Sequence, residues 1–149
     1  MRIMKISTKG RYGLRAMVDL AVNSKGEHVS LNSIAERQEI SESYMEQVFS
    51  LLRKSELVKS IKGPQGGYML SRNPSNITIG EILRCLEGSL LVYDDKKEEY
   101  SKVNTVESCL KANVWDKINE SINSVVDSIT LEDLILEYKK NNQSLMYYI

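Results

Sequence analysis

Apolar residues recur at helical spacing through the first third of the chain. Leu14, Met17, Val18 and Ala21 predict a helix over 8–24, with Arg11 and Arg15 on another side. The loop KGEH ends it, with Gly26 as a stop signal. A short helix, LNSIAERQ, follows, and Ser30 or Asn32 is placed to cap it. After a break at Glu39-Ile40, Ser41 can cap a third helix, ESYMEQVFSLLRKS, and Glu42 suits the positive end of its dipole. Met45, Val48, Phe49 and Leu52 fall at i, i+3, i+4 and i+7, a stripe that must face a core. The opposite stripe is polar: Ser43, Glu46, Gln47, Ser50 and Lys54.

The period then changes. VKSI and YMLS are short runs that fit strands, and between them IKGPQGGYML crowds Gly63, Pro64, Gly66 and Gly67 together. Gly tolerates positive φ and Pro pre-sets a turn φ, so the stretch predicts a β-hairpin with a basic, glycine-rich tip. Beyond the linker NPSN, Thr78 and Glu81 form a capping-box pattern, TIGE, opening a helix that continues as EILRCLEG. Residues 88–111, with DDKKEE in the middle, are polar and charged and read as a loop. Trp115, Ile118, Ile122, Val125 and Ile129 then recur at spacings of 3, 4, 3 and 4, an a/d-like seam on a helix of about four turns. Such a seam serves either a dimer or packing on its own domain. Thr130 and Asp133 start a last short helix, LEDLILEYK.

Composition narrows the class. The 149 residues are 42% hydrophobic and 27% charged, which suits one globular domain or a small domain with an appendage. No apolar run approaches the ~20 residues of a membrane span, and MRIMKISTKGRYG lacks the apolar core of a signal peptide, so a cytoplasmic protein is expected. Two cysteines, 24 positions apart, make no disulfide framework. One histidine, with no nucleophile–base pairing and no phosphate-loop or metal spacing, argues against an enzyme. The formal charge of zero conceals an asymmetry. Residues 1–72 carry 12 basic against 7 acidic side chains, and residues 73–149 carry 8 against 13. A net of +5 joined to −5 suggests that the first half meets a polyanion.

The third helix and the hairpin say how. Gln can pair with adenine, Glu can accept from cytosine N4, and Ser can bond either kind of base edge. Arg53, Lys54, Lys59 and Lys62 supply charge for phosphates. Short helix, tight turn, helix with a polar face and basic hairpin are the layout of a winged helix-turn-helix, whose recognition helix enters the major groove. At the tip, Gly63, Gly66 and Gly67 would let backbone N–H groups approach DNA, beside Gln65, with Lys62 drawn to the minor groove. Each feature has a plainer alternative, an ordinary turn or a solvated face. A protein-interaction module would explain the seam but leave the Ser/Glu/Gln face and the wing idle.

The segment AERQEISESYMEQVFSLLRKSELVKSIKGPQGGYML, with the opening MKISTKGRYGLRAMVDLA, resembles the winged-helix regulators that include IscR, NsrR and CymR. The likeness covers roughly residues 1–90 and continues more weakly beyond. It implies a fold that is mainly α with a small β-hairpin wing, a winged helix-turn-helix domain plus a long C-terminal dimerisation helix. It implies a dimeric transcription regulator, usually a repressor, on an inverted repeat in double-stranded DNA. Ser43 and Glu46 match the family's base-reading positions, and Lys62 stands where many members have an arginine for the minor groove. Lys9, Arg11, Tyr12, Tyr44, Gln47 and Arg53 match positions near the DNA backbone. The division expected is 1–74 for DNA binding, 75–140 for dimerisation and regulation, and 141–149 as a tail.

Some family members hold an iron–sulfur cluster on three cysteines before the dimer helix. Here SCLKANVW retains Cys109, but VYDDKKEEYSKVN has none, and Cys85 lies outside the pattern. His28 completes no set, and Arg11 and Arg15 occupy positions from which some relatives lend a ligand to the partner subunit. No metal and no cofactor are therefore expected, with a cluster or a thiol-based sensor at Cys109 as the alternative. The ending QSLMYYI resembles the cluster-free CymR branch, which controls cysteine and sulfur metabolism. That resemblance implies cysteine synthase (O-acetylserine thiol-lyase) as a partner, with Ile149 anchoring in its active site and Tyr148 packing.

Overall fold

A computed structural model of the chain describes residues 5–93 and 105–147, residues 144–147 by backbone alone. The expectations for DDKKEE, Tyr148 and Ile149 lie outside the described residues. Helix α1 (Thr8–Asn23) starts where Ser7 Oγ accepts from the Gly10 N–H, while the Ser7 N–H and hydroxyl both donate to the Glu87 carboxylate. It buries Ala16, Met17 and Leu20 completely. Helix α2 (Leu31–Gln38) is capped by Ser30, which accepts from the Ser33 N–H. Asn32 instead donates to Glu42. Glu39, in the left-handed region at φ 56°, ends α2 and turns the chain into α3 (Glu42–Lys54), which Ser41 caps by accepting from the Tyr44 N–H.

The predicted apolar stripe of α3 is the centre of the core. Met45, Val48, Phe49 and Leu52 are at most 1% exposed. Strands β1 (Val58–Ile61) and β2 (Gly67–Leu70) pair antiparallel from Val58↔Leu70 to Ile61↔Gly67. Val29 extends the sheet by one residue, exchanging hydrogen bonds with Tyr68 at 2.9 and 2.8 Å. The Tyr68 ring then lies 4.7 Å from that of Phe49, so the wing is seated on α3.

Helix α4 (Ile79–Glu87) completes this core with Ile79, Ile82, Leu83 and Leu86. Its capping box is half made. Thr78 accepts from the Glu81 N–H, but the Glu81 carboxylate receives Arg72. The core is continuous across residue 74, because Ile77, α4 and Leu131 bury against α1–α3.

The second half differs from expectation in three places. Within the segment read as a loop, Thr105 caps α5 (Val106–Leu110) reciprocally with Ser108. The helix passes through a π-helical turn, Lys111–Trp115, into α6 (Asp116–Ser128). Val106 is 79% exposed, so this part has no apolar face to announce it. Ile129 does not extend the seam. Its backbone is extended, at φ −102° and ψ 125°, and its carbonyl accepts from the Ile79 N–H. The last helix, α7 (Leu131–Tyr147), is nearly twice as long as LEDLILEYK suggested, because the polar run KKNNQ carries no stripe to extend it.

Candidate nucleic-acid interface

The outer face of α3 stands clear of the core that fixes it. Ser43, Glu46, Gln47, Arg53 and Lys54 are exposed, one turn apart from their buried neighbours. Among the described residues none of these side chains is held by a hydrogen bond or ion pair, so their polar groups are open to an incoming partner. The start of α1 is brought beside the start of α3. Tyr12 and Tyr44 meet edge to face, with ring centres 5.9 Å apart at 77°. The Arg11 and Arg15 guanidiniums lie 5.9 and 5.1 Å from the Tyr12 ring centre. Lys9 and Arg11 are exposed on the same helix start.

A buried acid sets the angle of α2. Asp19 is 5% exposed and accepts from Arg37 and Gln38 of α2, with Asn23 adding a fourth residue to the group. The Asp19 hydrogen bond holds the Arg37 guanidinium above its ordinary pKa, against the desolvation that lowers it. Because α2 leads through a single turn into α3, this tie positions the polar face. Nothing in the local pattern pointed to Asp19, which sits 18 residues from Arg37.

The wing carries Lys62, Gly63 and Gln65 on its exposed tip. Its glycines also meet demands of the fold itself. Gly63 has φ +116° in open space, a conformation that a side chain would strain. Gly66 and Gly67 face protein backbone instead. A Cβ on Gly66 would stand 2.1 Å from the Ile61 carbonyl oxygen, and one on Gly67 would stand 2.2 Å from that of Val29. Their missing side chains make room for the turn and for Val29. His28 adds a clamp that sequence reasoning missed, its Nε2–H donating to the Gln65 carbonyl at 2.5 Å. The only hint was a lone histidine in the KGEH loop.

The seam also divides. Trp115 and Ile122 are half-buried, while Ile118 and Val125 are 38% and 58% exposed. The side of α6 that meets its own domain is Asn119, Asn123, Val126 and Asp127. Arg84 of α4 donates to both Asp127 oxygens and to Asn123. That bond holds the Asp127 carboxyl below its ordinary pKa. Asn119 accepts from the Val92 N–H and donates to the Tyr93 carbonyl, and Tyr93 stacks on Trp115 at 5.8 Å.

The donor set for an iron site is thin. The chain has two cysteines. Cys85 is half-buried with its thiol donating to the Leu51 carbonyl, and Cys109 is exposed. Among the described residues no three His, Cys, Asp or Glu side chains gather to hold a metal. A cluster on three thiolates does not fit this chain. Among the described residues, too, no helix is long and apolar enough to cross a membrane.

A helix-turn-helix seated on an apolar core, with a docked β-hairpin wing, defines a winged-helix protein of the transcription-regulator class. The family model for Rrf2, described as an iron-dependent transcriptional regulator, matches residues 6–137. The HTH-type transcriptional regulator CymR of Bacillus subtilis (strain 168) is 42% identical over 146 residues, covering 98% of this chain and all of that one. The solved structure of CymR, the global cysteine regulator of B. subtilis, aligns with a TM-score of 0.75 at 42% identity, covering 91% of this chain and 98% of that one. The IscR structure from T. potens aligns with a TM-score of 0.71 at 43% identity, covering 93% and 90%. The chain belongs to the Rrf2 family of transcriptional regulators and is not an enzyme.

Proposed function

We propose that the chain is a homodimeric repressor that binds an inverted repeat, with residues 1–74 engaging DNA, 75–140 dimerising and regulating, and 141–149 serving as a partner-binding tail. The carrying observation is the unengaged Ser43, Glu46 and Gln47 face of α3, flanked by Arg53 and by Lys62 on the wing. Ser43 and Glu46 read base edges, and Lys62 enters the minor groove. Lys9, Arg11, Tyr12, Tyr44, Gln47, Arg53 and Lys54 meet the backbone, and the tip residues Gly63, Gln65, Gly66 and Gly67 shape the wing's approach. Trp115, Ile118, Ile122 and Val125 form the dimer seam, and two copies then present two reading helices to two half-sites.

Control of cysteine and sulfur metabolism is the regulatory role supported by the likeness to CymR, the global cysteine regulator of B. subtilis. The tail's likeness to that branch supports cysteine synthase as partner, with Ile149 in its active site and Tyr148 against the rim. Removing Ile149 is expected to abolish that association, with calorimetry against purified cysteine synthase as the check.

Fluorescence anisotropy on a selected operator tests the DNA face. Glu46→Ala is expected to lose about 1–3 kcal/mol of discrimination between bases at one position. Lys62→Ala is expected to weaken all sequences alike and to lower the salt slope by about 1. Unchanged affinity and specificity in both variants would sink the assignment.

A further inference from the structure

The wing is tied to the rest of the domain at two levels. At its base, Val29 exchanges main-chain hydrogen bonds with Tyr68, and the Tyr68 ring rests on Phe49. The last rung between the strands is Ile61↔Gly67. Beyond it, residues 62–66 form a turn that closes on itself, the Gly66 N–H donating to the Gly63 carbonyl at 3.0 Å. Gly63 and Gly66 give this turn more backbone freedom than other residues would.

Among the described residues, one hydrogen bond from outside the wing reaches the turn. It is the bond from His28 Nε2–H to the Gln65 carbonyl, at 2.5 Å. The two ties come from consecutive residues. Because the Val29 main chain is locked to β2, the His28 backbone before it is fixed, and its ring acts as a bracket between the α1–α2 loop and the tip. His28 is exposed and has no part in the apolar core, so packing does not account for its placement. The carbonyl it holds lies three residues along the turn from Lys62, the cation of the tip.

A minor groove is only about 6 Å wide, and its width varies with sequence. A tip free to pivot would settle into grooves of several widths and lose that freedom on binding. A bracketed tip fits one width and has less freedom to lose.

We propose that His28 is a positioning residue for the wing. Through the Gln65 carbonyl it holds Lys62 where a narrow minor groove admits it, and so makes the chain selective for base pairs flanking those that α3 reads. This rests on the DNA-binding reading above and deepens it, by naming the residue outside the wing that sets the wing's selectivity.

Fluorescence anisotropy of the full chain tests this on the selected operator and on a copy with diaminopurine in place of the flanking adenines. That base adds an amino group to the minor groove and leaves the major-groove edge unchanged. The wild-type chain is expected to bind the modified copy about tenfold more weakly. His28→Ala is expected to bring that ratio to about one. It should also lower the salt slope by about 1, although no lysine or arginine has been removed. His28→Gln, whose side-chain amide can donate to the same carbonyl, is expected to restore both. In a Lys62→Ala background, His28→Ala should have no further effect, because the cation it positions is already gone. Circular dichroism checks that the variants keep the wild-type helix content.

A wild-type ratio in His28→Ala overturns the proposal. So do losses that simply add to those of Lys62→Ala, the mark of a direct phosphate contact by His28, and so does a wild-type chain that does not distinguish the two copies. A wild-type chain that binds neither copy overturns the DNA-binding reading, and this proposal with it.

Discussion

Helices α3 and α6 are the same length, 13 residues each, and both are amphipathic, yet they end in opposite situations. The apolar stripe of α3 is fully enclosed by α1, α4 and the wing base. On α6 no residue is buried, and Ile118 and Val125 face outward. One helix is finished by its own chain. The other leaves part of its apolar side uncovered, and what ties it to the domain is largely polar, Asn119, Asn123 and Asp127, with Val126 packed beside them.

Paired substitutions break this contrast most directly. Phe49→Ala removes a fully buried ring and its contact with Tyr68, and is expected to cost about 3–5 kcal/mol of folding stability. Ile118→Asp with Val125→Asp is expected to leave a folded chain with unchanged helix content but to shift the sedimentation coefficient from dimer to monomer. Operator affinity should then fall by orders of magnitude, because one reading helix holds far fewer phosphates. A stable dimer in the double variant would assign the seam to packing within one chain.

Gly67→Ala probes the inner attachment of the wing. Its Cβ would collide with the Val29 carbonyl, so the variant is expected to lose about 1–3 kcal/mol, with faster hydrogen exchange at the Val29 and Tyr68 amides. Gly63→Ala, strained but free of collision, should cost less.

The α4–α6 tie has the smallest effect and a pH signature. The folded Asp127 carboxyl sits below its ordinary value because Arg84 bonds its charged form. Its stabilising contribution is complete above the ordinary carboxylate pKa and is lost as pH falls through the depressed one. Arg84→Met is expected to lower the melting temperature slightly at neutral pH and to flatten its fall in acid, so that variant and wild type converge at low pH.

The same contrast explains what was legible in the sequence. Wherever a stripe was answered within the chain, as at Met45, Val48, Phe49 and Leu52, pattern and caps placed the element to within a residue. Ser7 capping through Glu87, Asp19 gripping Arg37 and Gln38, and His28 clamping Gln65 were invisible, since each joins residues 18 to 80 apart. The wing glycines show the limit well. Their density announced a turn, but only the approach of the Ile61 and Val29 carbonyls reveals why Gly66 and Gly67 leave no room for a side chain. The helix α5 escaped because its sides are polar or exposed, so no periodicity marked it.

The π-helical turn and the stacked pair beside it place the chain's single tryptophan at the head of the outward seam. Trp115 lies against Tyr93, and no other indole competes with its emission. Excited selectively at the red edge of its absorption, the protein therefore reports on the α6 region alone. Emission that moves to shorter wavelength on concentration would follow assembly of the seam in the unlabelled molecule, while the α3 side stays optically silent.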